Sequence, residues 1–368
     1  MSAAEPQPSS SLPQVLAFAG DAASYPAKAA RFLAQLLEKG VVTGVAVPVW
    51  TSDRCASYQL LTAPALLAQA DPFAPVMLRN AAEQLAELSR QGLSQPVALV
   101  LRSCEMRALV ELAKLKQANL ANCLLVGADC LGTMPVTTLT EGGQGLSQRL
   151  MTEPLAEGAM RSACRLCAER TPPVADLVLL AIGVAAGGPL LVEARTGAGA
   201  QAVSGLGLAE TPAPAGRPPA LAALAQAATD RLAQASATDL LEHLGRCSRC
   251  YNCRNLCPIC YCPECVFVPA KLGYDSERYL AWATRKGSLS LPTDVVLFHL
   301  TRMSHMLTSC VGCGICEAVC PNQIPLGRIY SVLRKKVQDQ FGYQAGRALD
   351  EPLPVTVFAE RELASVEE

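Results

Sequence analysis

The 368-residue chain is poor in charge: Asp, Glu, Lys and Arg together make up 17% of it, and the formal net charge is −1. Such a chain has neither the basic stripe that nucleic acid demands nor the polybasic patch that an anionic membrane face attracts. It also lacks a long apolar run. None reaches the ~18 uninterrupted residues of a spanning helix, and the best candidate, 174–186, is broken by Asp176 and Gly183. The opening MSAAEPQPSSSLPQ has no basic n-region and no apolar h-region, so it does not read as a secretory signal. No G-x-G-x-x-G follows a strand, which argues against an ordinary Rossmann nicotinamide site. A cytoplasmic protein is expected, a compartment in which disulfides are rare. The 17 cysteines then need another explanation, and metal ligation is the main one.

Their spacing supports that reading. Residues 247–265, CSRCYNCRNLCPICYCPEC, begin with Cys247, Cys250, Cys253 and Cys257 in the pattern C-x2-C-x2-C-x3-C, followed by Pro258. A second copy, CVGCGICEAVC, supplies Cys310, Cys313, Cys316 and Cys320, followed by Pro321. In bacterial-type ferredoxins three cysteines of each run hold one cubane cluster and the fourth reaches the other. On that logic Cys247, Cys250, Cys253 and Cys320 hold one 4Fe-4S cluster, and Cys310, Cys313, Cys316 and Cys257 a second. Structural zinc also uses C-x2-C pairs, but as isolated pairs more often than as duplicated triplets. Cys260, Cys262 and Cys265 are left over. Three readings stand for them: a separate fourth cluster with Cys257, a site completed by Cys55 or Cys123, or a structural or zinc-binding role.

From residue 13 onward, short apolar runs alternate with helical periodicity. The runs at 15–20, 41–50, 96–102 and 122–128 read as strands, and the segments at 28–40, 80–92 and 104–117 as helices. Strands at 174–184 and 189–195 follow. That alternation predicts an α/β N-terminal domain with a mainly parallel sheet over 13–200, behind a disordered 1–12. The Gly, Ala and Pro of 201–220 suggest a linker. Residues 221–336 form a mainly α-helical ferredoxin-type domain with two clusters, its spacer helical at 276–287 and 294–307. The tail 337–368 is charged and expected to be loosely ordered.

Cys104 begins a helix just after one strand, and Cys130 follows the next strand closely. The carboxyl ends of parallel strands lie on one sheet edge, where ligands bind. A helix N-terminus would also depress the Cys104 pKa. Cys164 and Cys167, in ACRLC, add a ligand-type pair. Either the four converge on a third cluster, or Cys104 and Cys130 are ordinary buried cysteines. Arg102, Arg107 and Glu105 border this place, either tuning the potential of such a cluster or forming a solvated helix start. His243, His299 and His305 sit on helical segments and read as packing or hydrogen-bonding residues.

SCEMRALVELAKLKQ with LLVGADCLG, then ACRLCAERTPPVADLVLLAIG, resembles the coenzyme F-420 hydrogenase/dehydrogenase beta-subunit family over residues 40–200. The appended ferredoxin module is similar to that of formate dehydrogenase beta subunits, and its long helical spacer to modules of succinate dehydrogenase and heterodisulfide reductase subunits. The resemblance implies that Cys104, Cys130, Cys164 and Cys167 bind a 4Fe-4S cluster beside FAD, and by their position next to that site Arg102, Arg107 and Glu105 could contact the flavin. It implies an oxidoreductase subunit whose partner carries out the primary oxidation of formate or hydrogen, with heterodisulfide-reductase-type subunits and a soluble electron carrier as further partners. The Gln-Gly-Gly segment that such relatives carry near the N-terminus is replaced here by GDAASYPAKAARF. The run at 247–265 is expected in the middle of the relay.

Overall fold

A computed structural model describes residues 12–139, 143, 145–267, 276–287 and 294–358. Eight strands form one sheet in the order β3-β2-β4-β5-β6-β7-β1-β8. They are β1 (Gln14–Phe18), β2 (Gly44–Ser52), β3 (Cys55–Leu61), β4 (Val97–Arg102), β5 (Cys123–Ala128), β6 (Leu177–Leu179), β7 (Leu190–Ala194) and β8 (Ala209–Glu210). The centre, β2-β4-β5-β6, is parallel, and both flanks are antiparallel. The expected parallel core is therefore present within a mixed α/β sheet. Every residue of β4, VALVLR, is buried, as a strand covered on both faces requires.

Two layers cover the sheet. On one face lie α1 (Tyr25–Glu38), which starts where Ser24 Oγ accepts the Ala27 N–H, and α6 (Gly197–Val203). On the other lie α2 (Ala82–Ser89) and α3 (Ser103–Lys114). Between β5 and β6 run the short helices α4 (Leu146–Leu150) and α5 (Ser162–Arg165). The second half is helical: α7 (Arg217–Gln234), α8 (Leu240–Leu244), α9 (Asn252–Asn255), α10 (Ser276–Lys286), α11 (Asp294–Met306), α12 (Ile315–Ala318) and α13 (Leu326–Gln340). Its apolar side chains join those of α2 and α3 in one continuous core. None of the described helices is long and apolar enough to cross a membrane.

The stretch 201–220 differs from the expected linker. It holds the end of α6, the edge strand β8 paired to β1, and the start of α7. Arg217, buried, donates through Nη2 to Asp129 Oδ1 at 3.0 Å, so a Gly/Pro-rich composition there reflects tight turns against the sheet. The expectation for 1–12 lies, but for Leu12, outside the described residues.

The tail is also packed up to 358. Tyr343 and Ala345 are buried, and Arg107 Nε donates to Ala345 O at 2.9 Å. Glu111, wholly buried on α3, accepts the Gly346 N–H at 2.8 Å and pairs with Lys114 Nζ at 3.0 Å. Gly346 has φ +72°, and a Cβ there would stand 2.3 Å from Arg107 O, so only glycine permits the approach. Removing one partner of a buried ion pair strands the other. Glu111→Ala is therefore expected to cost about 3–5 kcal/mol and to expose residues 341–358 to limited proteolysis. An unchanged denaturation midpoint with an uncut tail would contradict this.

Candidate metal centres

The sheet delivers two thiols to one edge. Cys104 lies in the first turn of α3, directly after β4, and Cys130 lies just beyond β5. Cys130 N–H donates to Arg170 O at 2.8 Å. The turn around α5 brings in Cys164, whose Sγ lies 3.1 Å from Thr133 Oγ1, and Cys167 follows. Arg170 ties them together: its Nη2 donates to Cys164 O at 2.6 Å. Burial disfavours the Arg170 charge, yet the sulfurs of Cys167, Cys130, Cys164 and Cys104 raise its pKa. All four expected cysteines thus face one guanidinium.

Burial pushes the Cys104 thiol well up, with Glu105, Cys130 and Cys313 adding to it and Arg102 opposing. The depressed value expected of a helix N-terminus is not found, because desolvation outweighs the helix dipole. Burial likewise raises Cys167 to about 12. Thiols so placed surrender their protons to a metal rather than to water.

The C-terminal half repeats one loop twice. After Cys247, Arg249 and Tyr251 have φ of 58° and 59°; after Cys310, Gly312 and Gly314 have 70° and 67°. A short helix follows each time, α9 with Cys253 and α12 with Cys316. The second loop needs glycine: a Cβ at Gly314 would meet Ala163 Cβ at 2.2 Å, and one at Gly312 the Arg334 guanidinium at 2.6 Å. Desolvation raises Cys253 to about 11, and after the opposing Arg302 its neighbours are Cys247, Cys250 and Cys320. Cys316 is raised by burial, opposed by Arg302, with Cys313, Cys257 and Cys310 around it. The fourth cysteine of each run therefore sits with the triplet of the other.

The second triplet adjoins the N-terminal group. Asn80, buried, donates from Nδ2 to Cys104 O at 3.4 Å, and its side chain also hydrogen-bonds Cys313. Arg161 donates to Thr133 Oγ1 at 3.3 Å and to Cys313 O at 3.3 Å. Glu317 on α12 accepts from Ser162 Oγ beside Cys164. The group of Cys310, Cys313, Cys316 and Cys257 is thus the central one, and that of Cys247 lies outermost.

Cys260, Cys262 and Cys265 gather near one another, Cys262 exposed and the other two half-buried. Neither Cys55, which opens β3, nor Cys123, at the far end of β5 from Cys130, is among the groups acting on Cys260. Arg102, a proposed flavin contact, donates to Ala74 O and Val76 O at 3.0 Å and pairs with Glu105 at 3.0 Å. Arg107 bonds Ala345 O and Glu169. His243 pairs with Asp239 on the surface, His305 is exposed at the end of α11, and His299 Nε2 stands 3.3 Å from Cys247 Sγ.

Among the described residues no three His, Cys, Asp or Glu side chains converge as one metal ion requires; the thiolates of a cubane each bind a different iron. The surrounding donors fit a larger anionic group. Ser103 Oγ, Arg107 Nη2, Arg170 Nε, His299 Nδ1, Arg302 Nε, Tyr330 Oη and Arg334 Nε are buried without an acceptor. Buried donors in native proteins are nearly always satisfied, and cluster sulfides would satisfy these. Sequence reading missed Asn80, Arg161, Arg170 and Arg302. For Arg302 a signal existed, since 295, 299, 302 and 306 share one helical face. A cleft of about 590 Å³, lined by Met77, Met134, Arg161, Arg165, Gly314 and Cys320 among others, opens between the halves. Its size falls within the range of small-molecule sites.

No family model matches the chain. It is 28% identical over 307 residues to the F420-dependent formate dehydrogenase subunit beta of Methanocaldococcus jannaschii, spanning 72% of this chain and 77% of that protein. It is 27% identical over 367 residues to the F420-dependent formate dehydrogenase 1 subunit beta of Methanococcus maripaludis, spanning 84% and 88%. A chain of the F420-reducing NiFe hydrogenase complex from Methanosarcina barkeri superposes with a TM-score of 0.44 at 14% identity, over 61% of this chain and 91% of that one. The resemblance to formate dehydrogenase beta subunits is thus borne out in the curated relatives, which are subunits of oxidoreductase complexes.

Outer-shell partners of metal ligands typically carry 10–100-fold in affinity. Arg170→Met is therefore expected to release about four irons under a chelator challenge that leaves the two C-terminal groups filled. Equal retention of iron by variant and wild type would argue against Arg170 serving the N-terminal group.

Proposed function

We propose that this chain is the electron-transfer (beta) subunit of a formate dehydrogenase- or hydrogenase-like complex, working in the cytoplasm. The observation that carries this reading is the exchange of fourth cysteines between two repeated loops, with a third group of four thiols beside the central one. Cys104, Cys130, Cys164 and Cys167 would hold one 4Fe-4S cluster, Cys310, Cys313, Cys316 and Cys257 a second, and Cys247, Cys250, Cys253 and Cys320 a third. Such clusters supply one-electron storage at a potential set by charge, hydrogen bonding and exposure. The chain's own contribution is position: α3, α5, α9 and α12 fix the thiols, Asn80 and Arg161 join neighbouring groups, and the buried core excludes water.

FAD, bound close to the N-terminal group, would let one-electron and two-electron carriers exchange. The cleft lined by Ser162, Ala163, Arg165 and Gly314 has the size for part of such a ligand and borders the turn that carries Cys164. The partner subunit would oxidise formate or hydrogen, and a soluble carrier, coenzyme F-420 or another, would take or give the electrons. A second reading is a flavin-free adaptor that links a dehydrogenase to a heterodisulfide-reductase-type or membrane partner. The engagement of Arg102 and Arg107 by internal acceptors favours it.

The test is elemental and spectroscopic. Anaerobically purified full-length protein is expected to contain about twelve irons and as many acid-labile sulfides, four for each of three groups. One released flavin per chain supports the first reading, and clusters without flavin the adaptor. Colourless protein holding zinc would sink both.

A further inference from the structure

Arg302 has no role in holding a thiol, yet it donates to the first repeated loop at Cys253 and lies within electrostatic reach of Cys316 in the second. It lies on α11, 4% exposed. Its Nη1 donates to Cys253 Sγ at 3.1 Å and its Nη2 to Cys253 O at 2.9 Å. The guanidinium packs over the Phe298 ring at 5.7 Å and over the Tyr330 ring of α13 at 5.4 Å. Its Nε is buried with no acceptor. Among the described residues the ionisable groups acting most on it are a phenol and sulfurs, Tyr330, Cys253, Cys257 and Cys316, all held toward their neutral forms by burial. Cys253 belongs to the outer group; Cys257 and Cys316 belong to the central one.

A guanidinium stays charged at any accessible pH, and a buried charge without a counter-ion is strongly unfavourable. No carboxylate is seen to answer it among the described residues. The charge it needs is the one the two cysteine groups would carry when filled. Conversely, each cluster gains a negative charge when it takes up an electron, and a fixed positive charge nearby favours that reduced state.

We propose that Arg302 is a shared electrostatic control residue, holding the reduction potentials of both C-terminal clusters up together. It is a positioning and tuning residue rather than a ligand, and the inference rests on the cluster reading above. At the N-terminal group other arginines act most strongly, Arg102 on Cys104 and Arg170 and Arg107 on Cys167, so its potential serves as the internal reference.

The experiment is a potentiometric titration of the full-length chain, followed by EPR, with dithionite as the reductant and iron and sulfide measured on the same samples. In Arg302→Gln two of the three one-electron waves are expected to move against reduction by tenfold or more each, 59 mV per tenfold for a one-electron couple. The third wave stays in place. Arg302→Lys, which keeps the charge but loses the fork, is expected to shift the same two waves by less. Unmoved waves in a variant with full iron content overturn the inference, as does movement of only one wave. Should Arg302→Gln lose its iron, Arg302→Lys decides by the same criterion. Loss of iron from both variants also overturns it, making Arg302 a requirement for assembly. Wild-type protein without iron and sulfide would instead remove the cluster reading itself.

Discussion

Crowding cysteine sulfurs into a protein interior is a problem of charge. Each thiol of the three groups with a resolved shift is pushed up by burial, so apart from a metal the sulfurs prefer to stay protonated. Binding iron would turn them into thiolates and leave concentrated negative charge in a medium that disfavours it. The remaining architecture answers that constraint. Arg170 lies within electrostatic reach of the N-terminal group, Arg161 donates to Thr133 Oγ1 and Cys313 O, and Arg302 donates to Cys253. Other buried arginines answer carboxylates and carbonyls instead, Arg102 at Glu105 and Arg217 at Asp129.

The same constraint explains why the two halves share a core. An isolated N-terminal domain would expose Arg107 and Glu111, which instead bind the segment at 343–346. Gly314 lies against Ala163, and Glu317 reaches back to Ser162, so the central loop is fastened to the turn that carries Cys164. Short separations between neighbouring groups follow from these fastenings, and short separations are what an electron relay needs. On the proposed reading, a relay would run from the sheet edge, through the central loop, to the outer loop beside His299.

How much of this could be read in the sequence depended on range. The C-x2-C-x2-C-x3-C runs are local, and their spacing alone indicated which fourth cysteine joins which triplet. The strand-to-helix junctions at Cys104 and Cys130 followed from periodicity and the polarity of parallel strands. Contacts made across the fold left no such trace. Asn80 and Arg161 look like ordinary polar residues until the halves are docked, and β3 and the two-residue β8 are edge strands with no strong pattern. The tail was misjudged because its charged composition hides Tyr343 and Ala345, which are buried by α3 rather than by their own segment. The order of the groups was also misjudged, since sequence distance gave no hint that Cys313 lies beside Cys104.

The central claim is that three four-thiol groups lie close together and in a row. EPR of the dithionite-reduced full-length protein tests it most directly, because adjacent paramagnetic clusters broaden and split one another's signals. The account predicts a spectrum of interacting clusters that simplifies when Cys313→Ser disrupts the central group. Sharp, non-interacting signals that the substitution leaves unchanged, or no signal at all from iron-replete protein, would contradict it.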